Sequence, residues 1–268
     1  MSYLKYDNPI VTIVVPSYNQ GIYLNQNLES IFLSNIPVEV FLMDAGSNDQ
    51  TLDVINKWSH RINWWRSQSD NGQASAINEG IKLGTAPYVC WLNSDDYFLK
   101  DGLEILINNI ELFPNAPFVY GKVLNFHQNN SKFNDVKVFP FDYTKFCERC
   151  IISQPGTLIR RRNFEFLGGL NETLKMSMDY DLWWRLSLTF GNPVFIDDYV
   201  AVNRIHNETK TNNNSLLHYC ESISIVLKYS NKLPLRWIFY SPLALFYRII
   251  KNFIYNLFFK INLILKHD

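Results

Sequence analysis

Between residues 10 and 114 the chain alternates short apolar runs with segments of helical spacing, and few architectures accept such a pattern. "IVTIVV" (residues 10–15) and "VEVFLM" (38–43) are apolar almost throughout, as strands buried on both faces must be. Between them Leu24, Leu28, Ile31 and Phe32 recur at the period of a helix. After "AGSND", Asp49 is placed to cap a helix from Gln50 through Trp58, and "INWWRS" follows as a short strand. "GQASAINEGIKLG" then predicts a helix closed by Gly84, "PYVCWL" a strand, and "GLEILINNIELF" a helix ended by Pro114. The pattern predicts an α/β fold with a mainly parallel sheet covered by helices on both faces. At 268 residues, 47% of them hydrophobic, the chain has the apolar side chains for such a core.

In an open α/β sheet, ligands bind beyond the carboxyl ends of the strands. Three polar clusters fall there: "PSYN" after the first strand, "DAGSND" after the second, and "NSDD" after "PYVCWL". The adjacent Asp95 and Asp96 repel one another, so a strand ends on them either to cap the next helix or to hold a cation. Convergence of three clusters favours a site. The first loop has neither G-x-G-x-x-G nor G-x-x-x-x-G-K-[ST], so phosphates are not cradled by a Gly-rich backbone. An aspartate pair suits a hard cation, Mg²⁺ or Mn²⁺, which would in turn hold a diphosphate. Tyr18 offers a flat face to a base, or covers the strand end, and Asp44 can accept from a base N–H.

The formal net charge is zero, which argues against a nucleic-acid partner. It conceals an asymmetry. Residues 222–267 contain seven Lys and Arg and no acidic residue, leaving 18 basic against 25 acidic residues elsewhere, a formal charge of −7. From 243 to 266 Arg248, Lys251, Asn252, Tyr255, Asn256 and Lys260 recur every three or four residues, a polar stripe on an otherwise apolar helix. That pattern predicts an amphipathic helix lying on an anionic membrane surface, or else one packed on the body or on a second subunit as a homodimer. Cys90, Cys147, Cys150 and Cys220 are expected to be reduced thiols, and "CERC" lacks the second pair of ligands a zinc site needs. "MSYLKYDNP" lacks the pattern of a signal peptide, so a cytoplasmic protein, peripheral at the inner face of the cell membrane, is expected. Arg160, Arg161 and Arg162 read as a solvated charge run.

"VTIVVPSYNQGIYLNQNLESI", "DAGSNDQT", "SDNGQASAINEGIKLGTAPYVCWLNSDD" and "MDYDLWWRL", in this order, resemble the inverting family 2 glycosyltransferases, and in particular the branch that builds bacterial O-antigen and other surface polysaccharides. The similarity runs from about Pro9 to His206. It implies a GT-A fold, with a mixed, mainly parallel sheet, over residues 1–210; the basic, amphipathic helical tail over 211–268 is read from charge and periodicity alone. The resemblance also implies a nucleotide-sugar donor, most commonly a UDP-sugar, a glycan or lipid-linked acceptor, and Mn²⁺ or Mg²⁺ as cofactor.

Carried onto matching positions, the resemblance puts Pro16, Tyr18 and Asn19 around the nucleoside and gives Asp44 the base-reading role, with Asp70 near base or ribose. Asn93 stands where the family's D-x-D motif has its first Asp, and is implied to touch ribose or donor sugar. Asp95 and Asp96 are implied metal ligands, with His206 as a third ligand or a diphosphate contact and Arg204 supporting the diphosphate. Asp179 is the implied catalytic base, ahead of Asp181. Gln154 is implied to face the acceptor, and Trp183 and Trp184 either stack on acceptor sugar or pack in the core, with packing expected for one of the two. Ala45, Ser75 and Met178 depart from the family's usual residues. A non-catalytic subunit of a polysaccharide assembly complex and a sugar nucleotidyltransferase are the competing readings.

Overall fold

The computed structural model describes residues 8–206 and 214–240, with positions 242, 243, 246 and 250 beyond them. The first half follows the expected alternation: β1 (Val11–Ser17), α1 (Gly21–Phe32), β2 (Val38–Asp44), α2 (Thr51–Trp58), β3 (Trp64–Ser67), α3 (Gln73–Leu83) and β4 (Tyr88–Trp91). There follow β5 (Tyr97–Phe98), α4 (Gly102–Leu112), the long β6 (Phe118–His127), β7 (Lys132–Asp135) and α5 (Tyr143–Glu148). A 3₁₀ turn at Gln154–Gly156 leads into β8 (Thr157–Arg160), α6 (Arg161–Phe166), α7 (Met178–Phe190), β9 (Val194–Ile205) and α8 (Ser215–Ser230), and a π-helical turn spans Arg236–Tyr240.

The strands form one sheet in the order β3-β2-β1-β4-β8-β6-β9-β5, with β7 paired to β6. β1, β2, β3 and β4 are parallel neighbours, and so are β6 and β9. β8 runs antiparallel between β4 and β6 and makes the sheet mixed, though most paired residues lie in parallel ladders. Alternate residues of the central strands enter opposite cores. Val14, Phe41 and Met43 pack with α3 and α7 on one face, whereas Ile13, Val15, Val40 and Leu42 pack with α1 and α4 on the other. Gly80 lets α3 approach closely, since a Cβ there would meet Val14 Cγ1 at 2.7 Å.

The arginine run is corrected by this packing. Arg160 donates to the carbonyls of Ile110 (2.5 Å), Phe113 (3.1 Å) and Ala116 (2.8 Å), closing the carboxyl end of α4. Arg161 donates to Ile81 O at 2.8 Å and Ala86 O at 2.5 Å and lies 3.8 Å from the buried Glu39. Helix carboxyl ends leave unpaired carbonyls and a partial negative charge, and a guanidinium satisfies both. Sequence reading missed this because the helices concerned lie some 50 to 80 residues away.

Asp49 serves two helix starts: Oδ2 accepts from Gly21 N at 2.9 Å and Oδ1 from Thr51 N at 3.0 Å. Burial opposes its charge, yet the hydrogen bonds from Thr51 and Gly21 prevail and hold the carboxyl below 3.8. Asp49→Ala is expected to cost about 1–2 kcal/mol in urea unfolding at neutral pH. A depressed carboxylate stabilises above its unfolded pKa, so the gap between wild type and variant should close as pH falls through the folded value, below 3.8. A gap that persists in acid would mean the carboxylate's charge is not the cause.

α8 packs onto the body, with Ile225, Val226 and Trp237 in the same core as Trp183 and Trp184. Glu221 on α8 accepts from the backbone N–H groups of Lys175, Met176 and Ser177, just before α7. The stripe expected over 243–266 lies almost wholly outside the described residues. Among the described residues no helix is long and apolar enough to cross a membrane.

Candidate active site

The sheet ends where the three polar clusters gather. β5 follows β4 after only five residues and pairs antiparallel with β9, Tyr97 opposite Val202 and Phe98 opposite Ala201. Extending that register sets Asp95 against Arg204, so loop 93–96 lies beside the end of β9. α1 pins the loop from the other side: Asn27 Nδ2 donates to Asn93 O (2.8 Å) and Asp96 O (2.9 Å).

This geometry separates the two aspartates. Asp95 Oδ2 lies 3.0 Å from His206 Nε2 and accepts from Gln20 Nε2 at 3.2 Å, and the Tyr23 ring packs 4.8 Å from the His206 ring. Asp96 instead points inward, where Oδ1 accepts from Arg204 N at 2.9 Å and Oδ2 from Asn93 Nδ2 at 3.2 Å. Burial first, then the neighbouring Asp95, push its carboxyl well above the usual range. Asp96 is thus a buried brace in this structure, and Asp95 is the aspartate turned toward His206. Among the described residues no three His, Cys, Asp or Glu side chains gather as a metal cage, so Asp95 and His206 are the pair available.

Arg204 also takes a different place from that expected. Its Nε donates to Asp95 O (2.9 Å), Nη1 to Gln128 Oε1 (2.8 Å) and Nη2 to Gln26 Oε1 (2.5 Å). The rings of Tyr23, Tyr97 and Phe126 surround it within 5.4 Å. The guanidinium thus spends three of its five N–H donors on holding loop 93–96 against β9. Asp44 is likewise turned inward. It is 0% exposed, and its oxygens accept from Gly46 N, Ser47 N, Ser47 Oγ and Ser67 Oγ at 2.5–3.2 Å. Four donors occupy a carboxylate's acceptor sites, so in this structure Asp44 organises its loop.

Tyr18, by contrast, is 61% exposed at the end of β1. Asn19 beside it has a φ of +52°, donates its N–H to Ser47 Oγ (2.7 Å) and accepts from Asn48 N (2.9 Å), joining the first two clusters. Pro16 lies buried in β1 beyond the last β1–β4 pair, where its missing N–H breaks no bond to β4. Asp70 accepts from Gly72 N at 2.8 Å and meets Arg66 Nη2 at 3.4 Å. Asn93 Oδ1 accepts from Gln73 Nε2 at 2.7 Å, and its Nδ2 lies 3.5 Å from Gln154 Oε1. Gln154 is buried and donates to Trp91 O at 2.6 Å.

Asp179 begins α7, half-buried, its Oδ1 accepting from Tyr180 N at 2.8 Å. Burial raises its carboxyl above 3.8, with hydrogen bonding and His218 working against that shift. Asp181, two residues on, points the other way and is held by Arg185 Nε (2.7 Å) and Tyr229 OH (2.8 Å). Trp183 corrects the acceptor expectation. It is 0% exposed and stacks on Trp91 and Phe118 at 5.9 and 4.8 Å, so it is core and no platform for a sugar.

Sequence reading passed over Gln20, Gln73 and Asn27. A signal existed for the first two, because each stands at the start of a helix that follows a strand's carboxyl end.

The family described as "Glycosyl transferase family 2" matches residues 12–168, more than half of the chain. An uncharacterized glycosyltransferase of Rickettsia typhi is 25% identical over 220 residues, 76% of this chain and 67% of that protein. Chondroitin synthase of Escherichia coli is 25% identical over 242 residues, 88% of this chain but only 35% of that protein. Among solved structures, S. aureus TarS 1-349 in complex with UDP-GlcNAc aligns with a TM-score of 0.68 at 18% identity, covering 82% of this chain and 66% of that one. The mannosyltransferase PcManGT from Pyrobaculum calidifontis, in complex with GDP-Man and Mn²⁺, aligns at 0.64 and 16% identity, covering 92% and 74%. With its family match and a sheet of the GT-A kind, the chain belongs to glycosyl transferase family 2 and is a glycosyltransferase.

Proposed function

We propose that the protein transfers a sugar, with inversion, from a nucleotide-diphosphate sugar to a glycan or lipid-linked acceptor in surface polysaccharide synthesis. The observation that carries this reading is the Asp95–His206 pair, 3.0 Å apart at the ends of β4 and β9, on the same rim as the exposed Tyr18. In this reading Tyr18 stacks on the base, while Pro16, Asn19 and Asp70 shape the nucleoside pocket. Asn93, held by Gln73, meets ribose or donor sugar. Residues 1–210 are the catalytic unit and 211–268 the tail.

One carboxylate and one imidazole fit a divalent cation whose other positions go to diphosphate and water. Mn²⁺ or Mg²⁺ held there would offset the charge of the departing diphosphate. The Mn²⁺ and GDP-Man named for the Pyrobaculum enzyme and the UDP-GlcNAc named for TarS are consistent with such a donor site. The chondroitin synthase relative suggests a polysaccharide product.

Asp179 acts on the acceptor in this mechanism. An inverting transfer is one in-line displacement at the anomeric carbon, and the acceptor hydroxyl loses its proton as the new bond forms. A carboxylate whose pKa is raised by burial is a better proton acceptor than one in water. Gln154, beside Asn93, borders the acceptor side.

A thermal-shift screen of UDP-, GDP- and dTDP-sugars, with and without Mn²⁺, tests the reading. A donor at a hundred times its Kd should raise Tm by about 5–10 °C. That rise should depend on Mn²⁺. No shift by any nucleotide sugar in either condition would dismiss the donor site.

A further inference from the structure

The turn 235–239 and α5 meet on one face of the molecule. Trp237 is buried and donates its Nε1 to Cys147 O at 2.7 Å, while Tyr219 OH donates to Trp237 O at 2.7 Å. On either side of this anchor Leu235 is 68% and Phe239 59% exposed. On α5's side, the exposed Phe139 ring is flanked by two cations, Lys145 Nζ at 5.8 Å and Arg149 Cζ at 5.1 Å. Arg149 spends one donor on Lys137 O at 2.7 Å. Arg236 immediately precedes Trp237, whose bond to Cys147 O brings the turn against α5; burial first, and then the charge of Arg236, lower the Arg149 pKa. The acidic neighbours are Asp142, already capping Lys145 N at 2.9 Å, and Glu148. Guanidinium groups drawn together among exposed apolar side chains call for an anionic partner with an apolar interior.

We propose that α5 and the turn 235–239 form a docking face for an anionic lipid bilayer, with Leu235 and Phe239 entering the acyl boundary and Arg149, Arg236 and Lys145 meeting phosphate headgroups. Charge decides against the other occupants. The chain's own remaining segment carries Arg248, Lys251, Lys260 and Lys266 against a single acidic side chain, Asp268, so it repels this face. A second copy of the face would do the same.

The placement bears on the reaction. Arg149 belongs to the face, and α5 is tied to the start of α7, where Asp179 lies, by the Tyr180 OH that donates to Phe146 O. A lipid-linked acceptor held at the bilayer would therefore arrive beside the proposed base. Delivery of that acceptor rests on the function proposed above, whereas lipid binding does not.

Vesicle co-sedimentation of the full chain tests the docking face without reading activity. Wild type should pellet with phosphatidylglycerol-containing vesicles and far less with phosphatidylcholine alone. Each cation near an anionic surface is worth about fivefold in partitioning, so Arg149→Gln with Arg236→Gln should lose about 25-fold at low salt. Leu235→Ser with Phe239→Ser should remove the binding that survives high salt. Lys145→Gln, at a fully exposed position, repeats the charge test if the arginine variants melt early. Wild-type binding by both double variants, or equal pelleting of wild type with the two vesicles, would overturn the proposal. Loss in the arginine variants with none in the apolar pair would also overturn it, in favour of a soluble polyanion.

Discussion

Asp179→Asn is expected to lower kcat at least about a hundredfold, the usual scale of general-base catalysis, while donor affinity stays at the wild-type level. The amide keeps the size and the Oδ1 that accepts from Tyr180 N, so the start of α7 should survive. The pH profile supplies a second readout. Because burial raises the Asp179 carboxyl above 3.8, the wild-type rate should fall on the acid side at a pH above that of an ordinary aspartate. The variant's residual rate should lack this limb. Asp181 provides the contrast, since its carboxylate is engaged by Arg185 and Tyr229, and Asp181→Asn should cost stability with Kd for donor unchanged. Normal turnover by Asp179→Asn would transfer the base role elsewhere.

Asp95→Ala should remove the Mn²⁺-dependent part of donor affinity, a loss exceeding the roughly 10–100-fold typical of losing a mere supporting partner of a metal site. Asp96→Asn should behave differently. Its Oδ1 can still accept from Arg204 N, and the group it replaces is buried with a strongly raised pKa, so donor affinity and Mn²⁺ dependence should be nearly unchanged. Isothermal titration of the nucleotide with and without Mn²⁺ separates the two. Parallel loss in both variants would return Asp96 to the ligand set.

The tail shows how composition can mislead about packing. Residues 222–267 stand apart by their lack of acidic side chains, yet α8 shares its apolar residues with the main core and its Glu221 caps the segment before α7. Charge pattern reports what a segment meets at its surface, and burial depends on which few apolar side chains face inward.

By itself the sequence determined the alternation from β1 to β4 and the helix α4, with boundaries within two residues, because apolar periodicity and helix-end signals act over a few neighbours, but the two-residue β5 between them left no such signal. It also determined that "PSYN", "DAGSND" and "NSDD" share one rim, since parallel strands end on the same side. Tertiary structure alone decided what lies past Pro114. β6 and β9 pair across some 75 residues, and β8 inserts antiparallel beside β4, neither of which leaves a local trace. It also decided the direction of each side chain at the rim. The antiparallel register of β5 on β9 sends Asp95 toward His206 and turns Asp96 inward to Arg204 N, and packing against Trp91 and Phe118 withdraws Trp183 into the core. Asp95 and Asp96 share a turn closed by the Asp96 N–H on Asn93 O at 2.9 Å, and which of them meets the site is set by a partner strand far off in the chain.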